Sequence, residues 1–473
     1  MLPPLEDLML DARHRRWVIV LTSIGSFMAA IDTLVVSTAI PTIRGDLGAS
    51  LPQLEWTVNA YNLTLAVLLV PAAVLGDRFG RARCYAIGIG LFAVASLGCA
   101  LAGGAGVLIA MRAAQGAGGA LVLTLGLALL TGAFPAERRG QAVGLYSAVT
   151  GIAVACGPLL GGLVVGGLDW HWIFWVNVPI GLLAVPLVLR YVPEVRVPDS
   201  TLDVPGVALL GGGCLALVWA MVRSTTEGWS STEVVATSVL GVALLGAFVA
   251  WERRALRPLV PGALLARRGF IAGNVAAFLT LASLFSAVFF YGQLLQFAFG
   301  DSALEAGLRL MAWTGTFIVV APIAGTLADR IGERPLLVAG LTIQAAAMLW
   351  FAGTVTAGGD YLDALGPFVI GGIGVSMAVP CGQSAVIAAV EDRDVGTASG
   401  INSTMRELGG VFGVSLTVAV FGAYGGYGSP AEFVDGFTPA IVTAAGLSFA
   451  GALAGLALPA RRRADVPAVA VAA

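Results

Sequence analysis

Long apolar runs, each about 18 to 28 residues and separated by short charged segments, recur along the whole chain. A helix of roughly 20 apolar residues crosses the hydrocarbon core of a bilayer. A transmembrane β-barrel would show shorter segments of alternating polarity, so the continuous runs favour helices. Only 11% of the residues are charged and 58% are hydrophobic, whereas a soluble globular domain has about 25% charged residues. The sequence therefore predicts an all-α polytopic membrane protein.

Fourteen of these runs are long enough to span a bilayer. They cover approximately residues 17–40, 54–75, 84–103, 106–133, 141–166, 172–192, 204–222, 234–251, 270–297, 304–327, 335–355, 364–390, 396–423 and 438–459. The first run is too long for the apolar part of a signal peptide, so we expect it to be the first transmembrane helix. An even number of spans places both termini on the same side of the membrane.

The basic residues lie on one side of this predicted topology. The chain has 26 basic residues and no lysine, so arginine alone carries the topological signal. The tails and the loops after even-numbered spans hold most of the arginines, including Arg13, Arg15, Arg16, Arg78, Arg81, Arg138, Arg139, Arg253, Arg254, Arg330 and Arg334. The opposite loops hold chiefly acids, such as Asp46, Glu55, Glu227, Glu233, Asp360, Asp363, Glu432 and Asp435, with Arg44 and Arg223 as basic exceptions. The positive-inside rule therefore predicts that both termini are cytoplasmic.

A short sequence occurs twice, after the second and the tenth spans. The first copy reads Asp77-Arg78-Phe79-Gly80-Arg81, and the second reads Asp329-Arg330-Ile331-Gly332-Glu333-Arg334. Glycine allows a tight turn, while aspartate and arginine can cap helix ends and form ion pairs across a gate. A purely topological signal would explain one copy, but two copies in the same order favour gating loops. The repeat predicts two related six-helix halves, 1–192 and 269–473, with two helices inserted in 193–268.

The fifth apolar run contains the sequence GIAVACGPLLGG from Gly151 to Gly162. A proline in mid-membrane removes a backbone hydrogen bond and is tolerated where small neighbours let another helix approach. Glycines 151, 157, 161 and 162 with Pro158 therefore describe a bent helix with one nearly bare face. Such a face suits close packing against a partner helix, and a packing motif without further function is the plainer interpretation.

Several of these stretches resemble the major facilitator superfamily. The Gly151 to Gly162 stretch resembles the antiporter signature in the fifth helix of its exporters, and residues 112–120 (RAAQGAGGA) resemble its buried-arginine signature. Residues 77–83 resemble its cytoplasmic loop signature, except that Ala73 replaces a leading glycine. The second copy of the loop has that glycine, Gly325. The resemblance therefore adds Gly325 to the gating residues Asp77, Arg78, Gly80, Arg81, Asp329, Arg330 and Gly332.

Three further stretches resemble the fourteen-helix drug:proton antiporter subgroup of this superfamily. They are residues 32–41, with Ser37 where asparagine is common, residues 170–181, and residues 396–402 together with 406–410. The resemblance implies the major facilitator fold, with two six-helix halves and two extra helices between them. It also implies proton-coupled export of hydrophobic or cationic drugs across the cytoplasmic membrane by alternating access. A dedicated exporter of one endogenous antibiotic, lipid or peptide is the alternative.

Charged residues in mid-helix need a compensating role, because each costs at least ~2.5–3.5 kcal/mol on insertion scales. Asp32 and Arg112 are predicted to lie roughly 12 and 9 Å deep in their helices, so they can meet. We hypothesise that Asp32 alternates between a state paired with Arg112 and a protonated state, so that proton binding changes the favoured conformation. A fixed structural pair is the alternative.

Glu407 is the third predicted coupling residue, roughly 9–15 Å from the cytoplasmic face. An acid at that depth can attract a cationic drug or accept a second proton, whereas an interfacial acid paired with a loop arginine is the alternative. Polar residues that are candidates for lining a substrate cavity are Gln115, Asn177, Gln293 and Asn402. Trp170, Trp172 and Trp175 are expected to form an interfacial belt, with direct substrate contact as the alternative.

Other classes of function lack the residues that they need. A chain without lysine has no phosphate-binding loop of the Walker type, so the energy source is an ion gradient. Two histidines and five isolated cysteines show no metal-site or disulfide spacing. We therefore expect that the protein is not an enzyme and has no catalytic residue, metal or cofactor. The expected partners are a small-molecule substrate, protons and the bilayer, without nucleic acid, and the expected state is a monomer. Coupling to sodium in place of protons stays open.

Overall fold

The computed structural model describes residues 12–134, 136–196, 203–255, 258–391 and 395–459. The helices of the first part of the chain are α1 Ala12–Leu47, α2 Leu51–Phe79, α3 Arg81–Ala100, α4 Ala105–Gly132, α5 Ala136–Gly167, α6 Trp172–Trp175, α7 Asn177–Tyr191, α8 Val204–Glu227 and α9 Thr232–Glu252. They are followed by α10 Gly262–Leu265, α11 Arg268–Gln293, a π-helical segment Leu294–Ala298, α12 Ala303–Thr314, α13 Thr316–Ile331, α14 Glu333–Thr354, α15 Tyr361–Ala388, α16 Val395–Tyr424 and α17 Pro430–Leu456.

Thirteen segments in the described part of the chain are helical, long and apolar enough to cross a membrane. They coincide with thirteen of the fourteen predicted spans, with α6 and α7 together forming one span and α12 and α13 another. The predicted fifth span lies in α5, a helix of 32 residues whose segment Cys156–Gly167 is apolar. The predicted all-α, membrane-spanning class is confirmed.

The spanning helices form two bundles with the same internal packing. In the first bundle, α1 to α7, helix α4 packs against α2 and α3, α5 packs on α1, and α7 packs on α3. In the second bundle, α11 to α17, helix α15 packs against α13 and α14, α16 packs on α11, and α17 packs on α14. Helices α8 and α9 pair with each other, and α8 also packs on α2 and α16. Two six-helix halves with two inserted helices are therefore present, as predicted.

Two loop contacts identify the opposite ends of the first bundle. The Trp170 indole N–H donates to Asp46 Oδ2 at 2.9 Å, which joins the α5–α6 loop to the end of α1. The backbone N–H of Arg81 donates to the Val195 carbonyl at 3.0 Å, which joins the α2–α3 turn to the segment after α7. We call the first of these the Gly48 end and the second the Gly80 end, after the glycine in each loop.

Trp170 itself differs from its prediction. It is only 2% exposed, it stacks on His171 and it packs edge-on against Phe174. The hydrogen bond to Asp46 compensates for burying the indole N–H, so this tryptophan is a buried anchor of the Gly48 end. Trp172, by contrast, is 52% exposed, which suits an interfacial position.

The largest apolar core lies where the two bundles meet on the side of the Gly48 end. It joins Val36 and Ile40 of α1 to Phe290 of α11 and Leu310 of α12, all of them buried. The Gln296 side-chain amide donates to the Thr38 carbonyl across the same boundary at 3.0 Å. The bundles are therefore in direct contact on the Gly48 side.

Candidate functional site

The charged pair predicted in mid-membrane is in contact. Asp32 on α1 and Arg112 on α4 are each 1% exposed, and Arg112 Nη1 donates to Asp32 Oδ2. Helix α1 runs to Leu47, beyond the predicted end of its span, so Asp32 lies about 15 residues, or ~22 Å, from the end of the helix. The pair is consequently deep inside the first bundle.

Gln115 completes a closed triangle with this pair. Its carboxamide N–H donates to Asp32 Oδ1 at 2.8 Å, while its oxygen accepts from Arg112 Nη1 at 2.6 Å. The same amide nitrogen lies 2.8 Å from the Ser96 hydroxyl oxygen of α3. Gln115 lies one helical turn from Arg112 on α4, which explains why both side chains reach the same carboxylate. In this structure, Gln115 belongs to the ion-pair network.

Arg112 has further partners that do not depend on Asp32. Its Nε donates to the Thr57 carbonyl of α2 at 3.1 Å. Its guanidinium carbon lies 4.3 Å from the centre of the Tyr61 ring and 5.9 Å from that of Phe174, both within range for cation–π attraction. Arg112 therefore keeps hydrogen bonds and aromatic contacts in either protonation state of Asp32.

Glu407 lies on α16 in the second bundle, close enough to Tyr61 for a coulombic interaction. Helix α16 packs on α2, the helix that carries Tyr61. Glu407 and Arg406 are both half-buried, and Arg406 Nη1 is 3.5 Å from Gln383 Oε1. In the described ranges, no hydrogen bond or ion pair to the Glu407 carboxylate is found, so it is a half-buried acid beside the buried network.

A fully buried acid that the sequence interpretation misplaced is Glu55. It was assigned to an external loop, but it lies in α2 with 0% exposure. Asn59, one turn further along, donates to Glu55 Oε1 at 3.2 Å and to the Ser415 hydroxyl of α16 at 2.8 Å. Helix α2 begins at Leu51, earlier than the apolar run, and α16 covers the face that carries Glu55.

The glycine-rich face of α5 packs against two different helices. A Cβ at Gly161 would lie 3.1 Å from the Val35 carbonyl oxygen of α1. A Cβ at Gly162 would lie 3.0 Å from Leu304 Cα of α12, in the other bundle. Reciprocally, a Cβ at Gly307 of α12 would lie 2.5 Å from the Pro158 carbonyl oxygen. The close helix approach predicted from the small residues is present, and it joins the two bundles.

Gly157 is also buried in α5. Gly151 lies in α5 as well, but its surroundings are outside the described part of the structure.

The two repeated loops have the predicted turn geometry. The backbone φ is 112° at Gly80 and 89° at Gly332, and residues other than glycine rarely adopt such positive values. Asp77 Oδ1 accepts from Arg81 Nε at 2.7 Å, so the pair links the end of α2 to the start of α3 across Gly80. Arg330 is exposed, and the Asp329 side chain lies outside the described residues.

Glu194 binds the first of these loops. Its carboxylate accepts from the backbone N–H groups of Ala82 and Arg83 at 3.1 and 3.2 Å. These are unsatisfied donors at the start of α3, where negative charge is favoured. The contacts found for the Gly80 loop therefore stay within its own bundle, and its role as a gate stays a prediction.

The four predicted cavity residues are all buried. Asn402 of α16 donates to the Asn274 oxygen of α11 at 3.2 Å, within the second bundle. Gln293 accepts a hydrogen bond from the Tyr427 hydroxyl and lines a cavity of about 430 Å³ at the Gly48 end. Asn177 is 2% exposed at the start of α7. A substrate-lining role for these residues stays a prediction.

Two acids in loops outside the spans have shifted pKa values. The hydrogen bond between His171 Nδ1 and Asp169 Oδ1, 2.5 Å long, lowers the pKa of Asp169. Burial raises the pKa of Asp301, an effect that the adjacent Arg309 guanidinium at 2.5 Å partly offsets.

Comparison with known proteins agrees with this architecture. Residues 22–414 and 273–471 match the family described as Major Facilitator Superfamily. The chain is 33% identical to the "Tetracenomycin C resistance and export protein" of Streptomyces glaucescens over 85% of this chain and 76% of that protein. It is also 33% identical to the "Multidrug resistance protein Stp" of Mycobacterium tuberculosis (strain CDC 1551 / Oshkosh), over 87% of this chain and 77% of that protein.

Solved structures share the fold. A bacterial homologue of the human lysosomal transporter Spinster, in an inward-facing and occupied conformation, superposes with a TM-score of 0.69. The superposition covers 95% of this chain and 97% of that one at 16% sequence identity. At that identity, the likeness concerns the fold alone.

Proposed function

The chain belongs to the major facilitator superfamily, and on that premise we propose that it is a proton-coupled antiporter which exports hydrophobic or cationic drugs by alternating access. The proposal includes a monomeric protein in the cytoplasmic membrane with both termini in the cytoplasm. Its halves would be residues 1–192 and 269–473, with the inserted helices in 193–268. The arginine-rich Gly80 end would then face the cytoplasm, following the positive-inside rule.

The observation that carries the proposal is the buried Asp32–Arg112–Gln115 network. An ion pair removed from water is costly unless its geometry and hydrogen bonds compensate. Because Arg112 also binds the Thr57 carbonyl and the Tyr61 ring, Asp32 can take up a proton without leaving the guanidinium unpartnered. A proton on Asp32 weakens the contact between α1 and α4, and this supports a conformational role for protonation.

The export direction and the class of substrate derive from the relatives. One is named for resistance to, and export of, a single antibiotic, and another for multidrug resistance. Glu407, half-buried near Tyr61, supports a preference for cationic compounds, since an unpaired carboxylate in low dielectric attracts positive charge. The repeated loops at Gly80 and Gly332 would gate the cytoplasmic side, and Gln115, Asn177, Gln293 and Asn402 would lie along the pathway.

The proposal is tested by efflux of a fluorescent lipophilic cation from cells and inside-out vesicles, with and without a proton uncoupler. The parent protein is compared with Asp32→Asn, Glu407→Gln and the control Glu227→Gln, whose acid is exposed at the Gly48 end. We expect uncoupler-sensitive efflux in the parent and the control, and its loss in Asp32→Asn. Normal pH-dependent efflux by Asp32→Asn would contradict the coupling mechanism.

A dedicated exporter of one endogenous product is the second candidate, because a relative is named for export of tetracenomycin C. A resistance panel of chemically unrelated compounds separates the two. Protection against several classes supports multidrug export, whereas protection against one compound, with folded protein at the membrane, supports the dedicated exporter.

A further inference from the structure

A stripe of buried polar side chains lies on α2 outside the network described above. Glu55, Asn59 and Asn62 follow one another at the helical spacing of four and three residues, which places them on one face. All three are at most 1% exposed. The stripe faces α16 of the other bundle, where the Ser415 hydroxyl accepts from Asn59 at 2.8 Å. It is therefore a polar contact between the two halves of the protein.

The atoms of Glu55 and Asn59 that have no partner are hydrogen-bond acceptors. Both N–H groups of Asn59 are in use, one on Glu55 Oε1 and one on Ser415. Glu55 Oε2 and Asn59 Oδ1 are buried without a partner, and so are both polar atoms of Asn62. An ionised carboxylate only accepts hydrogen bonds, whereas the neutral acid also donates one. One proton on Glu55 would thus add a donor beside two unpartnered acceptors, its own Oε2 and the Asn59 Oδ1.

Glu55 also has no neighbouring positive charge among the described residues. The charged groups near this end are engaged elsewhere: Arg44 on the Tyr427 ring, Arg112 with Asp32, Arg223 with Glu227 and Glu233, and Asp46 with Trp170. On α16, the nearest charged residues, Arg406 and Glu407, lie eight or more residues from Ser415, or about 12 Å. Burying an unpaired ionised carboxylate is strongly unfavourable, so the closed contact favours the neutral acid.

We propose that Glu55 is a proton-binding site that gates the Gly48 end. The neutral acid lets α2 close against α16, and the ionised carboxylate favours separation of the two helices and hydration of the stripe. Closing takes up one proton from the medium at the Gly48 end, and opening returns it to the same side. The proton is therefore a gating proton, distinct from one exchanged at Asp32. The inference rests on the proposed function only in requiring that this end opens.

The packing around the stripe explains why this proton stays on one side. Toward the middle of the helix, Leu63 and Ala66 of α2 pack with Leu408 and Val411 of α16 in a buried apolar cluster, which Val218 of α8 also joins. This apolar layer separates the stripe from the interior. Glu55 is therefore sealed in the closed form, and it exchanges its proton with the Gly48 side when the gate opens.

The expected size of the effect follows from linkage. Where the closed form binds one more proton than the open form, the ratio of closed to open protein falls about tenfold for each unit of pH increase. An external medium that is more acidic would thus favour closure, and a more alkaline one would favour opening.

The experiment measures this ratio with two spin labels in lipid nanodiscs. Gly103→Cys and Tyr424→Cys place the labels on exposed positions of the two bundles at the Gly48 end. Cys156→Ser removes the one half-buried thiol, since the other four cysteines are buried. Asp32→Asn in the same background removes the proposed coupling acid, so that its titration does not contribute. Distance distributions are recorded from about pH 5 to about pH 9.

We expect the population with long label distances to rise with pH in this background. Adding Glu55→Gln should abolish the rise and keep the short distance at every pH, whereas Glu55→Asp should keep a pH dependence. Glu227→Gln, which changes an exposed acid at the same end, should follow the parent. If Glu55→Gln failed to fold, Ser415→Ala would replace it, with a shifted midpoint expected.

An unchanged pH dependence in Glu55→Gln, or in Ser415→Ala where it serves as the replacement, would overturn the proposal and leave the stripe with a purely structural role. The measurement needs neither substrate nor a proton gradient. Loss of the pH dependence in Glu55→Gln without uncoupler-sensitive efflux in the intact protein would therefore sustain the gate and refute the proposed antiport.

Discussion

The buried ion pair predicts an unequal response to removing either charge. Arg112→Met leaves the Asp32 carboxylate with one donor, the Gln115 amide at 2.8 Å. Asp32→Asn leaves Arg112 with the Thr57 carbonyl at 3.1 Å, the Gln115 oxygen at 2.6 Å and the Tyr61 ring at 4.3 Å. The asparagine also keeps one acceptor oxygen for the guanidinium. The arginine is thus much better provided with alternative partners than the aspartate.

The free energies of unfolding should reflect this difference. Removing one partner of a buried pair costs about 3–5 kcal/mol when the remaining charge is uncompensated, which we expect for Arg112→Met. For Asp32→Asn we expect the loss of one charge-assisted hydrogen bond, about 1.5–3 kcal/mol. The double variant contains neither charge, so it should lose less than the sum of the two by about 0.5–3 kcal/mol.

Chemical unfolding in detergent micelles, followed by tryptophan fluorescence, measures the three variants against the parent. Equal losses for Arg112→Met and Asp32→Asn would refute the argument from alternative partners. Strict additivity in the double variant would refute the coupling of the two side chains across α1 and α4.

Three further predictions concern glycines and Glu407. Gly162→Ala would make a Cβ overlap the Ala303 carbonyl oxygen of α12 and lie 3.0 Å from Leu304 Cα, so it should cost about 1–3 kcal/mol of stability in detergent. Gly167→Ala has no atom within 4 Å and should be tolerated. Equal effects of the two variants would contradict the close packing. Gly80→Ala, at φ 112°, should cost about 1–3 kcal/mol in the same assay, whereas Gly325→Ala, in open space, should not. Glu407→Gln should raise the KM for a cationic substrate about tenfold, or ~1.4 kcal/mol, and leave that for a neutral one unchanged in vesicle transport; an equal rise for both would argue against charge attraction.

The length of the apolar runs was enough to predict the helices, and the repeated loop at Gly80 and Gly332 was enough to predict the two halves. Apolar runs correspond directly to spans, because the bilayer imposes both length and polarity on each helix. The contact between Asp32 and Arg112 was predicted from their estimated depths and is present, although α1 extends beyond the predicted end of its span. The fold and the central pair were therefore accessible from the sequence.

The parts that the sequence analysis misplaced depend on packing between distant segments. Glu55 stands at the start of the apolar run 54–75, where an acid is typical of a loop, yet it is fully buried, and Asn59 links it to Ser415 of α16. Trp170 looked interfacial until its partner Asp46, from another loop, was known. The cavity role predicted for Gln115 stays a prediction, but its contact with the Asp32 carboxylate, one turn from Arg112, was not part of that prediction. In hindsight, the i, i+3 spacing of Arg112 and Gln115 was the available signal.

The two seams between the bundles are not equivalent toward the lipid. Helix α8 covers the α2–α16 seam, with Cys214 and Val218 buried against it. In the described part of the chain, α8 and α9 do not reach the α5–α12 seam, where Leu163 and Leu308 are about half exposed. Hydrocarbon chains therefore contact the α5–α12 seam directly. Bilayer thickness and acyl-chain order act on that flank of the protein, while the inserted helices insulate the other.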